Sequence, residues 1–430
     1  MDQPRFYVRI KGSDFGPVER QELALWASEG RFSPDDQVWY HRLGHWDWVA
    51  AGHIAEFQDL FTDLVQEHTE VTQALAEAQR IKKEDEAAGR TSTRLLAVGG
   101  GKGGTGKTCF STAVAISLAS LDRSVVLVDC DLGGANVHTS LGMVESEVNL
   151  SHFFIKSGME LTDVLLPTPI KGLKLVSGAD GVLGLANPKY SQKLKFINRL
   201  RKLQADYVVL DLGAGTAYDV LDLFIAADLG IVVSCPDPFS LQNGFNFLKT
   251  CTYRRLTREF GRDDEVEAML ESARTEGYKQ PLPRMLESGR LSMNGAADRV
   301  RQVLKEFRPG LVLNMVMKHS EAREGLVIKS AAAELLGIEV EYLGHVYFDR
   351  SVRAALRKMQ PFVVADPKCQ AASCVLDIVV RKLLHAGRLS GFWQKRLMRK
   401  RLRKAVPPVE SIDAANEAAI YDGSLPKRRT

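Results

Sequence analysis

From residue 94 onward, the hydrophobic positions of this chain fall in short unbroken runs, each followed by a longer amphipathic stretch. The runs are "LLAVGG", "SVVLVDCD", "YVVLDLG", "LGIVVSCP", "LVLNMV" and "EYLGHVYF". Continuous apolar runs of this length, rather than alternating ones, predict strands covered on both faces, as in a parallel sheet. The stretches between them, beginning with "KTCFSTAVAISLASL", carry the helical period. Repetition of strand and helix predicts an α/β, doubly wound, mostly parallel sheet. Residues 252–308 interrupt the rhythm with "TREFGRDDEVEAMLESARTEGYK" and "DRVRQVLKEF", a charged insert expected to be helical and to pack on one side of the sheet.

The flanks follow other patterns. Residues 1–55 hold Trp26, Trp39, Trp46 and Trp48, with turns marked by Gly16-Pro17, Gly30 and Gly44, which predicts a small aromatic-cored α+β domain. Over 56–92, Phe57, Leu60, Phe61, Leu64, Val71 and Leu75 recur at helical spacing among charges, which predicts a helical linker. The parallel-sheet domain then spans 93–387. Residues 388–430 form a basic, partly disordered tail: no acid lies between Asp377 and Glu410, a span that includes "SGFWQKRLMRKRLRK".

Composition narrows the classes. In 430 residues, 45% are hydrophobic and 26% charged, as in an ordinary globular protein, and the net charge of +4 conceals the basic tail. No apolar run approaches the roughly 18 residues of a membrane span, and "MDQPRFYVRIKG" is no signal peptide; a cytoplasmic protein is expected. The six cysteines include no CxxC pair, which argues against a disulfide framework or a zinc site.

One stretch carries the chemistry. In "GGGKGGTGKT", Gly101, Gly106, Lys107 and Thr108 complete GxxxxGK[ST] directly after a predicted strand and before a predicted helix, the context that makes the motif specific. Backbone N–H groups of Gly101, Gly103, Gly104, Thr105 and Gly106 are expected to face phosphates, as is the helix N-terminus. Lys107 is expected to neutralise the β- and γ-phosphates of ATP, and the Thr108 hydroxyl to ligate Mg²⁺. Asp129 and Asp131 leave the end of the second strand and Asp211 the end of another, so all three converge on the phosphate crevice. Asp211 and Asp129 suit a hold on Mg²⁺, and Asp131 suits orienting the attacking water. Lys102 is one lysine more than a phosphate loop requires.

"KGGTGKT", "DCDLGGAN" and "DLGAG" together resemble the signature set of the ParA/MinD group of P-loop ATPases, in particular its MinD- and FlhG-like members. The resemblance spans about residues 93–385 and continues in "LGHVYFDRSVRAALRKMQPFVVADP", similar to the segment these ATPases use beside the nucleotide base. It implies slow, partner-stimulated ATP hydrolysis and an ATP-dependent homodimer. Lys102 then falls on the signature lysine that reaches the partner copy's ATP, Asp131 on the water-positioning aspartate, and Asn314 on the adenine-reading asparagine. Asn136 matches the asparagine closing the DxDxxxxN stretch. Tyr347-Phe348 departs from the pattern, which often has a proline there. Iron–sulfur relatives require cysteines that this chain lacks, and Cys130 is expected to point into the core.

A second resemblance lies in "GPVERQELALWASEGRF", similar to the core of GYF domains, which bind proline-rich peptides. It departs from that pattern at Val18 and Arg31, where aromatics are commoner. On a helical wheel of the tail, Leu389, Trp393 and Leu397 oppose Met398 and Leu402, so charge alone would draw it to an anionic membrane surface or to DNA. The chain therefore reads as a dimerising switch ATPase that positions or regulates a cellular structure, in the cytoplasm, at the inner face of the membrane or on the nucleoid. A nucleotide-sensing adaptor with little turnover and a DNA-partitioning ATPase are the alternatives.

Overall fold

The computed structural model describes residues 5–10, 13–28, 32, 36–42, 45–61, 93–131, 134, 136–144, 146, 148–156, 158–178, 190–261, 263–275, 280–287 and 295–384. The linker beyond residue 61 and the basic tail at 388–430 lie outside the described residues. The chain divides into two units within residues 1–74 and 75–430.

In the first unit, β1 (Arg5–Ile10), β2 (Ser13–Glu19), β3 (Gln37–Arg42) and β4 (His45–Ala50) form an antiparallel sheet ordered β2-β1-β3-β4, with helix α1 (Arg20–Ser28) following β2. Alternation along β1 sends Phe6 and Val8 inward and leaves Tyr7 exposed. The core also takes Val18, Leu23, Phe32 and Val38. Val18, where the GYF pattern favours an aromatic, is thus an inward-facing position. Phe57 plugs the same core, edge-on to Phe6 at 5.0 Å and to Phe32 at 6.2 Å. The unit therefore continues past residue 55. A buried aromatic at the head of an amphipathic run looks like helical periodicity, whereas Ala55–Phe61 here forms a short 3₁₀ helix.

The second unit is built on eight strands: β5 (Arg94–Gly99), β6 (Val125–Cys130), β7 (Leu166–Pro167), β8 (Leu173–Val176), β9 (Tyr207–Leu212), β10 (Leu229–Ser234), β11 (Gly310–Val316) and β12 (Glu341–Tyr347). Their order is β12-β11-β10-β5-β9-β6-β8-β7, with every pairing parallel except β7 with β8. Six of these strands match the unbroken runs. The two missed are the short strands at one end of the sheet: "LKLV" of β8, next to the edge, exposes Lys174, and the edge strand Leu166-Pro167 has a proline, which the edge tolerates.

Burial on both faces explains the unbroken runs. Leu95 and Ala97 of β5 enter one core and Leu96 and Val98 the other. In chain order the helices are α2 (Lys107–Ala119), α3 (Val137–Ser140), α4 (Leu150–Ile155), α5 (Tyr190–Arg201), α6 (Tyr218–Ala226), α7 (Pro238–Phe260), α8 (Asp264–Thr275), α9 (Leu282–Glu287) and α10 (Ala296–Glu306). After β11 come α11 (Gly325–Ala331), then α12 (Arg350–Arg357), α13 (Phe362–Ala365) and α14 (Gln370–Ile378). The insert adds Leu256, Phe260, Val266, Leu270, Met285 and Val300 to the core of Leu95 and Ala97, so it covers one face of the sheet. A buried ion cluster ties it to α6: Asp222 accepts from Arg254 at 2.9 and 3.1 Å and from Arg258 at 3.3 Å. Among the described residues, no helix is long and apolar enough to cross a membrane.

Candidate functional site

The central strand β5 delivers the glycine-rich loop at the carboxyl edge of the sheet, beside the ends of β9 and β10. Gly104 and Gly106 take positive φ of 78° and 86°, open to glycine at little steric cost. A Cβ on Gly101 would strike the backbone carbonyl of Asn243, and one on Gly106 the side chain of Asn314. The loop's shape therefore depends on partners that are distant in sequence.

The two lysines occupy different places. Lys107 is buried, and its Nζ donates to the carbonyl of Lys102 at 3.2 Å. Burial pushes its amine downward, while the charges of Asp211 and Asp131 push it back up. Lys102 itself is exposed. Hydrogen bonds from Ser240 hold Asp237, the N-cap of α7, below the usual carboxylate range, and the Lys102 charge adds to this.

Around them stand the predicted acids. Burial pushes Asp211 up to about 6, against hydrogen bonds from the Thr108 and Ser111 hydroxyls and the charge of Lys107. Ser111 Oγ lies 2.9 Å from Asp211 Oδ1. Ser111 was not anticipated, although a serine one turn beyond Lys107 on the inward face of α2 is the available sequence signal. Burial likewise pushes Asp129 up to about 7, although both of its oxygens accept backbone amides, from Asp131 at 3.1 Å and Val137 at 3.0 Å. Asp129 thus pins the turn that carries Asp131. The Asp131 carboxylate packs against Gly213, and Gly215 N donates to Gly100 O at 3.2 Å, which ties the loop after β9 to the phosphate loop. Asn136 closes its own turn, Nδ2 to Gly134 O at 2.6 Å.

Asn314, near the end of β11, donates from Nδ2 to the Thr105 carbonyl at 2.8 Å. Tyr347 hydrogen-bonds His319 at 3.1 Å and stacks edge-on against His345 at 4.8 Å, so an aromatic cluster stands at the proline position of the resemblance. Cys130 is buried in the core, as expected.

The donor set suits a magnesium nucleotide. Helix α2 starts at Gly106 with no side-chain cap, and the buried Thr105 Oγ1 has no hydrogen-bond partner among the described residues. Among the described residues, no cluster of three His, Cys, Asp or Glu could cage a metal. Magnesium does not need one, since it binds through one or two carboxylates together with phosphate oxygens.

Fold and site together define a P-loop ATPase. Residues 96–362 match the CobQ/CobB/MinD/ParA nucleotide binding domain, and the chain belongs to that family. Residues 6–57 match GYF domain 2. The chain is 27% identical over 282 residues to antiactivator FleN of Pseudomonas aeruginosa, covering 65% of this chain and 82% of that protein. It is 29% identical over 160 residues to flagellum site-determining protein YlxH of Helicobacter pylori, covering 37% and 53% respectively. Septum site-determining protein MinD from Pyrococcus horikoshii, solved with Mg-ADP, aligns with a TM-score of 0.46 at 18% identity, over 68% of this chain and 97% of that one. That likeness is too distant to bear on the site.

Proposed function

We propose that this chain is an ATP-dependent dimerising switch whose hydrolytic cycle positions or regulates a cellular structure. The observation that carries the reading is the division between the two loop lysines. Lys107 is turned into its own phosphate loop, and Lys102 is exposed on the outside of it. An exposed lysine in a glycine run has no task toward its own nucleotide, but it has one toward a second copy docked face to face. Relatives named for determining flagellum or septum sites support placement of a structure as the output.

In this reading the loop amides of Gly101 and Gly103–Gly106 bind the phosphates and Lys107 neutralises them. Magnesium, held by Thr108 and Asp211 with Asp129 behind them, supplies charge neutralisation at the phosphate oxygens. Asp131 orients the water whose oxygen bonds to the γ-phosphorus as the bond to the bridging oxygen breaks, giving ADP and phosphate. Lys102 of the second copy meets the developing negative charge. With Nδ2 of Asn314 engaged by Thr105, its carbonyl oxygen is left to accept from the exocyclic amine of adenine.

The N-terminal unit recruits a proline-rich segment. Phe15 is exposed beside Trp26, ring centroids 5.9 Å apart, next to Gly16-Pro17. Such a platform suits a pre-extended polyproline helix. The basic tail adds attraction to an anionic membrane surface or to DNA, which would place the protein at the inner membrane face or on the nucleoid from the cytoplasm. Steady-state phosphate release tests the enzyme reading. Magnesium-dependent release that is lost in Asp131→Ala is expected. No release under any condition, with anionic vesicles or duplex DNA present, would leave only the nucleotide-sensing adaptor.

A further inference from the structure

Helix α12, in the segment that the resemblance places beside the nucleotide base, carries a ridge of arginines that take no part in the contacts of the phosphate loop described above. At 100° per residue, Arg353, Arg357 and Arg350 fall within about 60° of one another, on the side opposite the buried Ala355. All three are exposed, and the exposed Lys358 flanks them. No acid occurs from Arg350 to Ala365. The two bounding acids are engaged elsewhere: Asp349 accepts from the amides of Ser351 and Gln370, and Asp366 from the Ser351 hydroxyl and the Lys368 amide. Among the described residues, none of the three arginines forms an ion pair. Arg357, in the last turn, favours the helix dipole, but Arg350 at the first helical position opposes it, so helix stability does not account for the set as a whole.

We propose that α12 is a contact for an anionic lipid surface. Guanidinium groups pair bidentately with phosphate oxygens, and a straight ridge of three meets a phosphate-bearing plane without rearrangement. The neighbours favour a bilayer over a nucleic acid. Phe348, Leu356 and Met359 are exposed at 47%, 44% and 49% around the ridge. Apolar side chains beside basic ones enter a headgroup boundary, whereas on a duplex backbone they would find only charge and water. The contact stands on described residues and does not depend on the tail.

The test uses the full chain and vesicles of phosphatidylglycerol with phosphatidylcholine, compared with phosphatidylcholine alone. Replacing Arg350, Arg353 and Arg357 together by Gln should weaken partition onto the anionic vesicles by about 100-fold, at roughly fivefold per cation. Replacing the same three by Lys should retain most of the binding, which separates lost charge from lost folding. Partition of the Gln variant equal to that of the wild type would overturn the proposal. So would a loss confined to duplex DNA in a mobility-shift titration, or a wild-type chain that ignores anionic vesicles altogether. Deleting residues 388–430 is a separate variant, so failure of the tail reading and failure of this one are distinguishable.

Discussion

The phosphate loop and the exposed aromatics of the N-terminal unit, both proposed above as recognition surfaces, are made from opposite materials. The loop uses backbone amides, glycines and a buried lysine, all within ten consecutive residues and wedged against Asn243 and Asn314. The N-terminal unit uses side chains set on its sheet: Phe15 is exposed beside Trp26 of α1, and on the sheet's other face Tyr7 and Trp39 are exposed and Arg9 lies over Trp48 at 4.0 Å while paired with Asp14. A backbone site is fixed by close packing, so damage to it should cost both stability and function. A side-chain platform stands on a finished core, and its aromatics should be removable at little structural cost.

The largest expected effect lies where buried charge underpins the ATPase unit. Asp222→Ala removes the carboxylate that Arg254 and Arg258 share, with Arg258 only 5% exposed. Guanidinium denaturation should show a loss of about 3–5 kcal/mol. Lys107→Ala should come next, with affinity for a fluorescent ATP analogue down about 100-fold because a charge-assisted phosphate contact disappears.

Protonation sharpens the contrast further. Asp129 and Asp211 titrate near 7 and 6 in the folded protein, above their usual value of 3.8. The folded state therefore binds protons that the unfolded state does not. Stability from these two groups rises as pH falls from 8 through 7 and 6, and it levels off below about 3.8. The nucleotide-free protein should melt several degrees higher at pH 5.5 than at pH 8, and Asp129→Asn should shrink that difference. The smallest structural effect belongs to the platform. Phe15→Ala should change stability by less than about 0.5 kcal/mol yet abolish binding of a proline-rich peptide in a fluorescence titration.

The same contrast explains what could be read from the sequence. A phosphate loop is local in sequence, so Gly101–Thr108 announced itself, and strands buried on both faces announced themselves as unbroken apolar runs. Contributions from a distance did not. Ser111 acts through Asp211, which lies 100 residues away, and Asn314, named only through the resemblance, touches Thr105, 209 residues away. Asp222 gains its meaning only when α6 and α7 pack together. Phe57 misled for a related reason: local periodicity assigns a residue to a helical run, but only tertiary packing shows that it closes a core. Strands β7 and β8 are only two and four residues long, and the exposed Lys174 breaks the apolar run of β8, so neither stood out as an unbroken run.

The central claim is that Lys102 acts between copies while Lys107 acts within one. Size exclusion with light scattering, in ATP and magnesium, tests it on two variants. Asp131→Ala alone should accumulate as a dimer, because hydrolysis no longer releases the pair. Adding Lys102→Ala to it should return the protein to monomer while ATP still binds. A double variant that remains dimeric would show that Lys102 does not join the copies, and would contradict the account.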